Sequence, residues 1–280
     1  MNAPKETVIR PRSGWFDFDL GELLHYRDLI LLLVKRDFVS LYKQTVLGPA
    51  WAVIQPFLTT VVFSLVFGRV AGLAPSGVPT FAFYLSGNVI WLYFAGCLTR
   101  TADTFIANTS ILGKVYFPRL VMPISTAISK LIDFAIQFAF MLIFVVIYAA
   151  TGAGVRPNLF VLMTPVLVLQ LGLLGLSCGI LISALTTRYR DLRMLMTFGT
   201  ALWMYASPVA YDAARVPAEY YSLYMLNPVT SILSVFRYAY LGIGQIDWLY
   251  YGVSWGITCL LLLLGVMLFS RVEKTFMDTV

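Results

Sequence analysis

The 280-residue chain has little charge, one histidine and three cysteines, and each shortage excludes a class of protein. Charged residues make up 12% of it, about half the share of an ordinary globular domain, which leaves too little polar surface for life in water. With His25 as its one histidine, the chain has no metal-spaced His or Cys cluster, and it contains no HExxH and no GxSxG. Cys97, Cys178 and Cys259 each fall inside an apolar run, where they act as small hydrophobes and offer neither zinc nor disulfide spacing. A P-loop is absent too: Gly113-Lys114 is followed by Val115, and no glycine stands at the required upstream position, so ATP is not hydrolysed by that route. The first 22 residues mix Lys5, Arg10, Arg12, Asp17, Asp19 and Glu22 with Pro4 and Pro11. They lack the apolar core and cleavage site of a secretory signal, and the N-terminus is expected to stay in the cytosol.

What is present is apolar. Hydrophobic residues reach 59% and the mean hydropathy is +0.81, which makes this an integral membrane protein. A hydrocarbon core of about 30 Å needs about 20 apolar residues in a helix. That test predicts six spans, near 50–67, 81–98, 132–150, 159–185, 195–210 and 248–269. Basic loops stay in the cytosol. With spans so placed, 16 Lys and Arg fall on the side of both termini and 4 on the other, which are Arg69, Arg156, Arg215 and Arg237. Both termini are therefore expected to be cytosolic, and the bias accounts for the net charge of +6 without a nucleic-acid partner.

Two segments fit neither spans nor loops. Residues 23–46 interleave Arg27, Asp28, Lys35, Arg36 and Asp37 with leucines, which is too much charge for a span and suits a helix along the headgroups. An ordinary basic juxtamembrane anchor would read the same way. Residues 215–245 are apolar in patches but broken by Pro228, Gly242 and Gly244. Asn227-Pro228 is a good helix start, with a capping side chain and then a residue whose missing N–H costs nothing in the first turn. We read a re-entrant helical hairpin in the outer leaflet, which needs protein or water around it.

Polar groups inside a membrane need a reason. Lys130 and Asp133 stand three apart and can pair on one helix face. Arg237, among Phe236, Tyr238 and Tyr240, is expected to pair with Asp212, Glu219 or Asp247, or to meet an anionic headgroup. The segment 187–193 is a short basic cytosolic turn. Residues 104–123 form a longer connection with helical character around 108–115, ended by Phe117, Pro118 and Arg119. A short helix projecting from a bundle suits a partner that pushes on it. Aromatics make up 15%, many of them within spans. Most such rings face lipid or form interfacial belts, but a path lined by Phe57, Trp91, Tyr93, Phe94, Trp203 and Tyr205 would also let the apolar faces of sugar rings slide.

The stretch from Arg36 and Asp37 through Tyr42, Lys43, Thr45, Leu47, Gly48, Trp51 and Pro56 resembles the start of polysaccharide-exporting ABC-2 type permeases. Tyr189-Arg190-Asp191 after the fourth span and Leu226-Asn227-Pro228 before the re-entrant segment extend the resemblance over about residues 23–271. It implies an all-α membrane protein in three parts: a polar cytosolic tail (1–22), an interfacial gate helix (23–46) and a six-span domain (47–280). It implies a homodimer with two separate ATPase subunits, which bind the ATP and Mg, in the bacterial cytoplasmic membrane. The cargo would be a lipid-linked glycan of the O-antigen, capsule or teichoic acid kind. By position, Arg27, Lys35, Arg36 and Lys43 would meet the lipid headgroup. Ile106, Asn108, Ile111, Lys114, Tyr116 and Arg119 would couple to the ATPase, and Asn227, Pro228 and Arg237 would shape the outer gate. Rival readings are an ABC-2 exporter of drugs or small lipids, a membrane-embedded glycosyl or phospholipid transferase, and an ATP-independent channel. The transferase would need clustered acidic or His residues, and here Asp103, Asp133 and Asp191 lie at separate loops.

Overall fold

The computed structural model describes residues 20–43, 45–108, 117–186 and 191–276, with side chains for all but 20, 22, 105, 106 and 270–276. Its elements are helical: α1 (Leu20–His25), α2 (Arg27–Tyr42), α3 (Trp51–Phe63), α4 (Thr80–Ala107), α5 (Val121–Ala150), α6 (Thr164–Thr186), α7 (Leu192–Tyr205), α8 (Ala218–Met225), α9 (Pro228–Leu241) and α10 (Trp248–Phe276). Gly48–Ala50 leads into α3 as a 3₁₀ turn, and Ser64–Val70 extends it as a π-helical stretch. Five segments among the described residues are long and apolar enough to cross a bilayer: Gly48–Val70, Thr80–Thr104, Val121–Ala150, Leu159–Thr186 and Trp248–Phe269.

The sixth expected span, 195–210, coincides with α7, which ends at Tyr205. The chain then turns through Ala206, Ser207 and Pro208. Fourteen residues rise about 21 Å, short of a hydrocarbon core, so α7 does not pass the length test alone. The outer segment resolves into α8 and α9, joined at Leu226-Asn227.

α4 is the axis of the bundle and packs against α3, α5, α6, α7 and α9. Its closest approach is to α6, along Gly172, Gly175 and Gly179. A β-carbon at Gly175 would come within 2.7 Å of Cys97 Cβ, and one at Gly179 within 2.5 Å of Thr101 Cβ. Small residues permit close helix approach where no water is present to drive association. Some buried polar side chains tie helices together: Asn88 Nδ2 donates to Thr60 Oγ1 at 3.0 Å, joining α4 to α3. Gln170 Nε2 donates to Ser254 Oγ at 2.9 Å, and Ser254 donates on to the Pro228 carbonyl. α2 lies across α5 with Leu33 and Val34 buried, and together with α1 it seals Leu23, Phe117, Val121 and Met122 in a small core of its own.

Candidate functional site

Where α2, the end of α4, the start of α5 and the start of α7 meet, they enclose a cavity of about 600 Å³. Seven charged side chains line it: Arg36 and Asp37 from α2, Arg100 and Asp103 from α4, Lys130 and Asp133 from α5, and Arg193 from α7. Three ion pairs use all three carboxylates: Arg36–Asp37 at 2.7 Å, Lys130–Asp133 at 2.6 Å and Arg193–Asp103 at 2.9 Å. Four cations face three carboxylates, and the Arg100 guanidinium has no partner among the described residues.

α2 is tied to the bundle across this cavity at two points. Arg36 Nη2 donates to Asn108 Oδ1 at 3.1 Å, at the end of α4, and the Tyr42 hydroxyl donates to Asp133 Oδ1 at 2.8 Å. Burial, and then the neighbouring Asp133 carboxylate, hold the Tyr42 phenol well above its ordinary titration range, so this donor keeps its proton. The pair is half-buried, with Lys130 and Asp133 side chains 19% and 17% exposed, whereas the Arg193–Asp103 pair is open and contributes little to stability.

Of the four cations expected at a headgroup, the structure brings Arg36 alone to the cavity. Arg27 is open to solvent beside Asp28 at 3.8 Å, Lys35 is exposed, and Lys43 is exposed beyond the last turn of α2. The Lys130–Asp133 pair forms as the three-residue spacing predicts. Arg100, Asp103 and Arg193 were absent from the expected site, although Arg100 and Asp103 stand three apart on one helix just past a predicted span, a spacing that marks a shared face. Of the coupling residues, Asn108 receives Arg36 and itself donates to the Thr104 carbonyl, and Arg119 is half-buried ahead of α5. Ile111, Lys114 and Tyr116 lie outside the described residues, as do Arg188, Tyr189, Arg190 and the tail 1–19, and the side chain of Ile106 does too.

The aromatic set divides by burial. Trp91, Tyr93 and Phe94 are packed inside the protomer, with Phe94 against Trp91 and Trp203 at ring centroid distances of 5.3 and 5.0 Å. Trp91 and Phe94 support the bundle and are covered in this conformation, whereas Tyr93 borders an apolar cleft of about 970 Å³. Phe57 and Tyr205 are exposed and Trp203 is half-buried.

At the far end of the bundle Asn227 is a junction. Its Oδ1 accepts from Val229 N, capping α9, and from Trp203 Nε1 at 3.0 Å, while its Nδ2 donates to Ser207 Oγ at 2.8 Å and to the Ala206 carbonyl. Pro228 occupies the first turn of α9. Gly242 ends that helix in the left-handed region at φ 72°, where a β-carbon would strike the Arg156 carbonyl. Arg237 meets none of the acids expected for it. It is 5% exposed and donates to the backbone carbonyls of Pro208, Val209 and Phe83, with its guanidinium 3.6 Å over the Phe83 ring. Carbonyls freed where α7 ends in a turn supply acceptors that no sequence pattern announces.

No group of three His, Cys, Asp or Glu able to hold a metal occurs among the described residues. The ABC-2 type transporter family model matches residues 28–241. An O-antigen export system permease protein RfbA of Klebsiella pneumoniae is 25% identical over 263 residues, which is 93% of this chain and 97% of that one. The RfbA permease of Myxococcus xanthus is 28% identical over 219 residues, covering 77% and 81%. With the family model spanning the helices from α2 to α9, around the cavity and the far-end junction alike, the chain belongs to the ABC-2 type transporter family.

Proposed function

We propose that this chain is the membrane subunit of an ATP-driven exporter that moves a lipid-linked polysaccharide, of the O-antigen kind, across a bacterial cytoplasmic membrane. The observation that carries the reading is the alignment with export permeases over 93% of the chain. In this reading ATP and Mg²⁺ are bound by two separate ATPase subunits, which press on the connection 104–123. The Lys and Arg asymmetry supports an orientation with the cavity end and both termini in the cytosol.

Here α1 and α2 lie along the inner surface as a gate, α7 makes a short fifth crossing, and α8 and α9 re-enter from the outer side. Supporting the re-entrant reading, α9 is buried along nearly its whole length and its ends are capped, as backbone at membrane depth requires. A second copy would cover the α3 and α7 faces, which leave Trp51, Phe57, Leu58, Phe198, Leu202 and Tyr205 open. Phe57, Tyr205 and the exposed part of Trp203 would then be the rings nearest a passing glycan. The test is export in vesicles holding the chain, the ATPase and a labelled lipid-linked glycan. Protected label should appear only with all three and ATP. Label crossing without the ATPase, or ATP turnover by the lone chain, would sink the reading.

A further inference from the structure

We infer that the cavity between α2, α4, α5 and α7 is a binding site for a diphosphate or phosphodiester group, with Arg100 as the cation that receives it. This rests on the export reading only for the source of the group, a lipid headgroup. The chemistry comes from the cavity. One cation is contributed by each of four helices: Arg36, Arg100, Lys130 and Arg193. Every carboxylate is already committed, and Asp133 is engaged twice, by Lys130 and by the Tyr42 hydroxyl. An entering anion therefore finds an unpaired guanidinium in Arg100 and a second in Arg193, whose exposed pair with Asp103 is weak enough to yield.

The neutral lining argues in the same direction. Thr99, Thr104, Thr126 and Ser129 each spend the hydroxyl proton on a backbone carbonyl one helical turn back, which leaves Ser40 as the one lining hydroxyl free for a sugar among the described residues. Phe38 is the one ring lining the cavity among the described residues, so a glycan has at most a single stacking platform there. Guanidinium groups make bidentate bonds to phosphate oxygens, and the charge surplus favours an anion over any neutral ligand.

The experiment uses the full chain with its ATPase in phosphatidylcholine nanodiscs, and measures equilibrium binding of farnesyl diphosphate, farnesol and inorganic pyrophosphate. Farnesyl diphosphate should bind and farnesol should not. Arg100→Gln should weaken farnesyl diphosphate about tenfold, equal to about 1.4 kcal/mol. Arg156→Gln, exposed at the far end of the bundle, should leave it unchanged. Pyrophosphate binding as tightly as farnesyl diphosphate assigns the site to free anions; weaker pyrophosphate assigns it to a lipid-borne group. Equal affinity of wild type and Arg100→Gln, equal losses in Arg100→Gln and Arg156→Gln, or binding of farnesol as tight as the diphosphate overturns the inference. Absence of ATP-driven export by the wild-type complex, with these affinities intact, counts against the export reading and not against the site.

Discussion

The two ends of the bundle are held by different chemistry. At the α2 end, charges meet around an open cavity, and α2 is tied down by two side-chain hydrogen bonds, Arg36 to Asn108 and Tyr42 to Asp133. At the far end, the bonds run from buried side chains to backbone: Arg237 to three carbonyls, and Asn227 to a helix start and a helix end at once. Partly exposed ion pairs are worth fractions of a kcal/mol to about 1 kcal/mol and can exchange partners with water or an anion. Buried donors on backbone carbonyls cannot let go without leaving both groups unsatisfied. In the export reading, the first end is the one that opens and the second the one that stays.

The sharpest way to break that contrast is at Arg237. Arg237→Leu leaves the Pro208 and Val209 carbonyls short of a donor, while that of Phe83 keeps the Ser86 hydroxyl, and should cost about 3 kcal/mol, read as a lowered midpoint of thermal unfolding in detergent. A shift no larger than at the cavity end would erase the distinction. Asn227→Ala should follow at about 1–2 kcal/mol, since it removes the α9 cap and the tie to Trp203 and Ser207 together. Asp133→Asn leaves Lys130 without its carboxylate and loosens α2, at about 1 kcal/mol. Its telling readout is faster tryptic cleavage after Lys35, Arg36 and Lys43. Arg193→Gln should change stability by less than about 0.5 kcal/mol, because its pair is open to water.

The sequence and the structure agree where local rules decide. Apolar length located five of the spans, the Asn227-Pro228 start is a capped helix, and Lys130 and Asp133 pair at the spacing that suggested it. The reading fell short where partners come from distant chain. Arg100, Asp103 and Arg193 converge because α4 ends beside the start of α7, 90 residues apart in sequence for the Arg193–Asp103 pair. Arg237 looked like a residue in want of an acid, yet its acceptors are carbonyls exposed by a turn 28 and 29 residues upstream. Trp91, Tyr93 and Phe94 read as available rings, and burial depends on the glycine seam of α6 that lets α4 sink into the bundle. In the expected span 195–210 the helix ends at Tyr205 while apolar composition runs on through Ser207-Pro208, so length alone does not fix where the segment stops.

Movement of α2 away from the cavity is the step on which the export account turns. With Cys259→Ser as background, cysteines at Arg36 and Asn108 can be joined by a bifunctional methanethiosulfonate in vesicles that carry the ATPase and labelled glycan. ATP-driven export should stop when the bridge forms and return when a reductant removes it. Undiminished export with α2 bridged to α4 would contradict the account.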